Sequence, residues 1–188
     1  MPEARLLRRA LLAVLLAAGA AAAKGYERQP PLYLDRTTLA ALQIAPAPAP
    51  DSPADKTDLV QVHEWEKRRT EKQCQTAQAQ AHAYFEEFFG DISPFVKPLP
   101  QEPADFLRQV GDDVAAAMGV LKDRNQRPRP FRRDSTLHPC IKKIGGFAYP
   151  SGHAAISRVY ALMLGALAPQ HRNEFITRAN DAALIRVI

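Results

Sequence analysis

Three side chains in one stretch of this sequence have the chemistry needed to bind and protonate a phosphate group. Lys122 and Arg129 carry an ammonium and a planar guanidinium, which can clamp an oxyanion. His153 carries an imidazole, which can donate a proton near neutral pH. Together these residue types suit a site that cleaves phosphoesters.

The residues Pro150, Ser151, Gly152 and His153 stand directly before an apolar run, residues 154–167. This order predicts the start of a helix, with Ser151 as the capping residue. The free N–H groups and the positive dipole end of such a helix favour a bound anion. The sequence therefore predicts an anion site where this helix begins.

Each cation also has an explanation that involves no function. Lys122 falls at the C-terminal end of a predicted helix, where a positive charge is favourable in any protein. Arg129 belongs to a segment, residues 124–133, that contains five arginines and could be a solvated loop or a patch for polyanions. Like charges this close repel one another unless anions or acids neutralise them. Within this segment we interpret Arg127 and Arg132 as surface residues.

Taken together, the two clusters resemble the bacterial class A non-specific acid phosphatases, a family of the type 2 phosphatidic acid phosphatase superfamily. Lys122 and Arg129-Pro130 match the first part of that family's signature, including the six residues between them. Residues 150–153 match the second part letter for letter. The third part opens with Ser-Arg, whereas here Ile185 precedes Arg186, so that only the arginine matches.

The resemblance implies an acid phosphatase that hydrolyses phosphate monoesters through a phosphohistidine, with inorganic phosphate or vanadate as an inhibitor. His153 would protonate the leaving alkoxide. No metal or other cofactor is expected, because three cations already neutralise the developing charge. The preferred ester stays open, and so does the oligomeric state, for which a homo-oligomer is one option. The residues that would hold the phosphate are Lys122, Arg129, Ser151, Gly152 and Arg186.

The family's nucleophilic histidine would stand six positions beyond Arg186, whereas the sequence ends at Ile188. We therefore expect a C-terminally truncated phosphatase domain that does not turn over phosphoesters as given. One alternative is an exported helical domain that binds phosphate or another oxyanion without catalysis. Another is a secreted helical domain whose motif matches are coincidental.

Residues 1–23 have the order of a secretory signal peptide, with three arginines before an apolar segment and a small-residue cleavage site, Ala21–Ala23. The alternative is a retained membrane anchor, although the apolar segment is short for one. Removal of this segment takes away three arginines and Glu3, so the formal net charge falls from +5 to +3. That charge does not favour nucleic-acid binding, and we expect a periplasmic or secreted protein without an integral membrane span.

Helical periodicity predicts an all-α fold, and the resemblance implies a helical bundle that is incomplete at its C-terminus. A Pro-rich arm, residues 24–58, precedes the helical domain, residues 59–188. The arm is either a disordered linker or a segment lying on the domain, and the resemblance favours the second. We place Asp58 at the cap of the first long helix. The predicted helices are residues 57–89, 103–124, 151–168 and 170–188.

The sequence contains two cysteines, Cys74 and Cys140. After export a bond between them could form, but their separation along the chain does not decide this. The resemblance instead gives Cys140 a partner just beyond Ile188. Without histidines at ligand spacing the cysteines do not make a zinc site. Asp112 and Asp113 point about 100° apart on a helix, so this pair alone does not make a cation site.

Overall fold

The computed structural model describes residues 28–187, so the predicted signal peptide lies outside the described residues. Within that range the chain is helical and contains no β-strand, which confirms the predicted all-α class. None of the described helices is both long and apolar enough to cross a membrane. The helices are α1 Arg36–Ala41, α2 Pro53–Arg68, α3 Glu71–Ala79, α4 Phe85–Phe89, α5 Gln101–Asn125, α6 Pro130–Arg133, α7 Gly152–Leu167 and α8 Arg172–Leu184.

Helices α7 and α8 form a hairpin at the centre of the fold, joined by a short 3₁₀ turn, Pro169–His171, and α4 and α5 pack against this hairpin. The Tyr160 hydroxyl of α7 donates to the Leu107 carbonyl of α5 at 2.9 Å. Gly111 permits this approach, because a Cβ there would lie 2.6 Å from the Tyr160 oxygen. The largest fully buried apolar side chains in the core are Phe88, Phe89, Phe175 and Leu164.

The first long helix starts earlier than the sequence predicts. Helix α2 begins at Pro53, because the Ser52 hydroxyl accepts the N–H of Asp55 and proline suits the first turn of a helix. The prediction of Asp58 as the cap is therefore wrong. The local signal for the true start, Ser-Pro, was present in the sequence.

The single helix predicted over residues 57–89 is also wrong, because the structure has three helices there. A new helix, α3, begins at Glu71 and is capped by Thr70, whose side chain forms a reciprocal capping box with Gln73. Ala83 then takes a left-handed conformation, with φ of 64°, and separates α3 from α4. The residues that the sequence assigned to one helix thus lie in three helices and in the turns between them.

Helices α5, α7 and α8 confirm the remaining predicted helices, although α8 ends at Leu184 rather than near residue 188. Helical spacing also predicts that Phe106 and Leu167 face the core, and both predictions are wrong. Phe106 is 45% exposed and packs against Tyr33 of the arm, while its neighbour Leu107 fills the core. Leu167 is 65% exposed, because it lies at the end of α7 where the chain turns towards α8.

The Pro-rich arm lies along α5, held there by two buried carboxylates. Asp113 accepts the backbone N–H groups of residues 32–34 at 2.6 to 2.9 Å, and Asp112 accepts that of Gln29 at 2.9 Å. Further along, Arg124 donates to the carbonyls of Ala40 and Leu42. The described part of the arm is therefore ordered on the domain, which is the alternative that the resemblance favours.

Cys74 of α3 is bonded to Cys140, with a Cα–Cα distance of 5.1 Å. The structure therefore forms the bond that the sequence left open, and Cys140 has its partner within the described residues. The bond fastens the irregular segment that follows α6 to α3, because one half-cystine lies in each of them. The two are 66 positions apart in the sequence. Ile185 and Ala77 are buried beside it in a small second core.

Candidate functional site

Four helix ends meet where the predicted site residues lie. Lys122 is in the last turn of α5, Arg129 directly precedes α6, His153 is in the first turn of α7, and Arg186 lies two residues after α8. The α7–α8 hairpin places the start of α7 beside the end of α8. We call Lys122, Arg129 and Arg186 the cation cluster, because the charges of both arginines act on the lysine.

Two members of the cation cluster are fixed by one short segment. The Lys122 ammonium donates to the carbonyl of Phe147 at 2.8 Å, and Arg129 Nε donates to that of Gly145 at 2.9 Å. Gly146, between these carbonyls, has φ of 71°, a conformation that glycine adopts without strain. Burial, followed by the charges of Arg129 and Arg186, lowers the pKa of Lys122 to about 8.

Arg186 reaches the cluster with an unused donor. Its Nη1 atom is buried and has no hydrogen-bond partner. Among the side-chain atoms of the described residues, only Oε1 of Gln80 is also buried without a partner. Burial and then the charge of Arg129 lower the pKa of Arg186. The preceding Ile185, where the family has serine, is 8% exposed and packs in the disulfide cluster instead. A buried guanidinium N–H without an acceptor is costly, and an anion would satisfy it.

Carboxylates neutralise other arginines of the basic segment but not the cluster. Arg127 lies 2.9 Å from Asp55 and 2.8 Å from Asp58, and Arg133 also contacts Asp55, which is 4% exposed. The interpretation of Arg127 as a surface residue is therefore wrong, because a buried carboxylate pulls it inwards. Arg132 is exposed, as expected. Among the ion pairs formed by the described residues, none includes a member of the cation cluster.

His153 is held by one ring nitrogen. Its Nε2 lies 2.7 Å from the backbone carbonyl of Gln80, which can only accept, so Nε2 carries the proton and Nδ1 is left for chemistry. The ring packs edge-on against Phe88, with centroids 5.7 Å apart. Burial and then the charge of Arg186 lower the pKa of His153 to about 4. The imidazole is therefore neutral near pH 7 unless an anion binds beside it and raises the pKa.

The first turn of α7 adds neutral donors. The Ser151 oxygen accepts the N–H of Ala154 at 3.3 Å, which confirms the predicted cap and leaves the serine O–H free to donate. The N–H groups of Gly152 and His153 have no acceptor within the helix. A Cβ added to Gly152 would meet no atom within 4 Å, so there is open space at this position.

Two residues near His153 were missed from the sequence. Gln80 holds the imidazole through its backbone, 73 positions away, and a backbone carbonyl leaves no signal in a sequence. Arg28 of the arm contributes a further positive charge that lowers the pKa of His153. No motif marks this arginine, because only the docking of the arm on α5 brings it there.

Other histidines have carboxylate partners away from the cluster. His63 lies 2.8 Å from Asp134, and His82 lies 3.0 Å from Glu87. His171, on the turn between α7 and α8, lies 3.2 Å from Glu174. Within residues 28–187, no group of three or more histidines, cysteines or carboxylates could hold a metal ion.

Comparison of the chain with models of known protein families gives no match, and no curated protein searched is significantly similar to it. An argument about function therefore rests on the residues of the cation cluster and their surroundings.

Proposed function

We propose that this chain binds the phosphate group of phosphate monoesters at the cation cluster and belongs to the acid phosphatases that its two motifs resemble. The observation that carries the proposal is the buried Nη1 of Arg186, which has no partner and lies beside two more cations without a carboxylate. Buried positive charge without compensation is costly. A phosphate dianion offers both opposite charge and several acceptor oxygens.

In this proposal each group has a separate task. The cation cluster holds the non-bridging oxygens of the phosphate, and the Ser151 hydroxyl and the Gly152 N–H add neutral hydrogen bonds. His153 donates a proton from Nδ1 to the leaving oxygen, after the bound dianion has raised its pKa. Because that pKa starts from about 4, catalysis is expected to be fastest in acid. The attacking group is the histidine that the resemblance assigns to a position beyond Arg186.

A second candidate is an oxyanion-binding protein without catalysis. The observation that favours it is the environment of the histidines: His153 has one nitrogen engaged by Gln80, and His63, His82 and His171 are paired with carboxylates. The two candidates share the binding site and differ only in turnover. Export is part of both, and the bond between Cys74 and Cys140 supports it, because disulfides persist in oxidising compartments.

The binding step is tested by the midpoint of thermal unfolding as inorganic phosphate is added at constant ionic strength. We expect phosphate to raise the midpoint and chloride not to. Lys122→Met should weaken phosphate binding about 10- to 100-fold, the worth of one hydrogen bond to a charged group. Lys72→Met, at an exposed position, is the matched control and should change nothing. Absence of stabilisation by phosphate would overturn the proposal.

Turnover is tested separately. A chain that continues past Ile188 through the expected histidine should hydrolyse p-nitrophenyl phosphate if the phosphatase candidate is right. Phosphate binding without hydrolysis by that longer chain would favour the non-catalytic candidate instead.

A further inference from the structure

A small cavity of about 90 Å³ opens beside the guanidinium groups of Arg129 and Arg186. It lies between α2, α6 and the irregular segment that the Cys74–Cys140 bond fastens. Lys122 and His153 are not among its lining residues, so the cavity is on the arginine side of the cluster. Its apolar walls are formed by Val62, Phe131, Leu137, Ile141, Ile144 and Val187.

Besides the two arginines of the cation cluster, three charged side chains line this cavity. Glu66 and Arg69 are paired with each other, and Lys142 is exposed to solvent. Glu66 lies 3.6 Å from Arg69 and accepts the N–H of His138 at 2.6 Å. Both side chains of the Glu66–Arg69 pair are 19% exposed. A ligand in the cavity therefore meets two arginines of the cation cluster and six large apolar side chains, and most of the surface that it contacts is apolar.

We propose that this cavity receives the organic group of the phosphate ester. This inference rests on the phosphate site proposed above. The ligand class is then a monoester of a compact apolar alcohol or phenol. Each methylene or ring carbon that leaves water for the walls strengthens binding, by about fourfold for one methylene. The hydroxyl groups of a sugar or a nucleoside would lose hydrogen bonds to water wherever they lie against these apolar side chains, which disfavours such esters.

Phenylphosphonate and methylphosphonate test this proposal, because they share a headgroup and differ only in the organic group. Their affinities are measured by calorimetry on the whole chain. We expect phenylphosphonate to bind about tenfold more tightly, as burial of part of a ring predicts. Ile144→Ala, at the partly exposed wall, should reduce that preference about fourfold and leave methylphosphonate binding unchanged. Val96→Ala removes apolar atoms outside the cavity and is the matched control.

The outcomes separate this inference from the phosphate site. If neither phosphonate nor inorganic phosphate binds, the phosphate site fails and the inference fails with it. If both phosphonates bind equally well, the phosphate site stands and the cavity does not take the organic group. If Ile144→Ala keeps the full preference for phenylphosphonate, the ring binds elsewhere and the inference is also overturned.

Discussion

Lys122 and Arg129 donate to two carbonyl oxygens of the same short segment, those of Phe147 and Gly145, at 2.8 and 2.9 Å. A carbonyl carries only a partial charge, so these bonds fix the positions of both cations without neutralising them. The segment thus holds two positive charges in fixed positions, which is the preorganisation that the proposed phosphate site requires. The predictions below follow from this charge and from the contacts that hold it in place.

Arg186→Met should stabilise the protein in phosphate-free buffer. It removes a buried cation with an unsatisfied N–H and relieves repulsion with Arg129. We expect the free energy of unfolding to rise by about 1 to 3 kcal/mol. Urea denaturation measures it. Arg178→Met is the control and should lower stability, because Arg178 donates to Asp91 through both Nη1 and Nη2, at 2.8 and 2.9 Å. A loss of stability in both variants would contradict an uncompensated charge at Arg186.

Acid should destabilise the protein through His153. Its pKa falls from an ordinary 6.5 to about 4 on folding, so the unfolded chain binds the proton more readily between these values. Above pH 6.5 His153 does not reduce the free energy of unfolding. As the pH falls from 6.5 towards 4, that free energy decreases by about 3 kcal/mol because of this group. Denaturation from pH 7 to 4 measures the loss, and His153→Gln should remove most of it. An equal acid sensitivity in that variant would assign the effect to other groups.

Phosphate affinity should fall above pH 8 because of Lys122. Without ligand its pKa is about 8, and a bound anion raises it, so binding at pH 9 includes uptake of a proton. If only the ammonium form binds, affinity falls roughly tenfold from pH 7.5 to pH 9. Calorimetry in buffers of different ionisation enthalpy counts the proton. Lys122→Arg keeps the charge throughout this range, and its affinity should therefore stay level; a parallel decline would disprove the role of Lys122.

Loss of the disulfide should cost about 4 kcal/mol of stability, the chain-entropy value for a loop of 66 residues. The double variant Cys74→Ala/Cys140→Ala is compared with the oxidised protein by urea denaturation. The same change should lower the preference for phenylphosphonate, because Ile141 and its neighbours would no longer be fastened to α3. Unchanged stability would mean that the segment is held by its other contacts.

Asp113→Ala should release the Pro-rich arm without affecting phosphate binding. The substitution removes an acceptor of three backbone N–H groups, and a loss of about 2 to 3 kcal/mol is expected. Limited proteolysis should then cut within residues 28–50 much faster. Asp105→Ala, at an exposed carboxylate of the same helix, is the control. Equal proteolysis of both variants would show that other contacts hold the arm.

The sequence by itself determined the features that depend on neighbouring residues. Ser151 caps α7 as predicted, because the hydroxyl and the N–H it accepts are three residues apart. The caps of α2 at Ser52 and of α3 at Thr70 are equally local, but the prediction of one continuous helix over residues 57–89 did not use them. The all-α class follows from the same short-range periodicity.

Only the tertiary structure decided which charges are paired and which are left unpaired. The sequence shows five arginines in one segment, but Asp55 selects Arg127 and Arg133 from 72 and 78 positions away. A distant residue also decides the tautomer of His153, because the carbonyl of Gln80 accepts from Nε2 and leaves Nδ1 without the proton. These contacts join residues that are distant in the chain, and they form only once the helices pack. A motif can therefore name the groups of a site, while the fold determines their protonation, their partners and the cavity beside them.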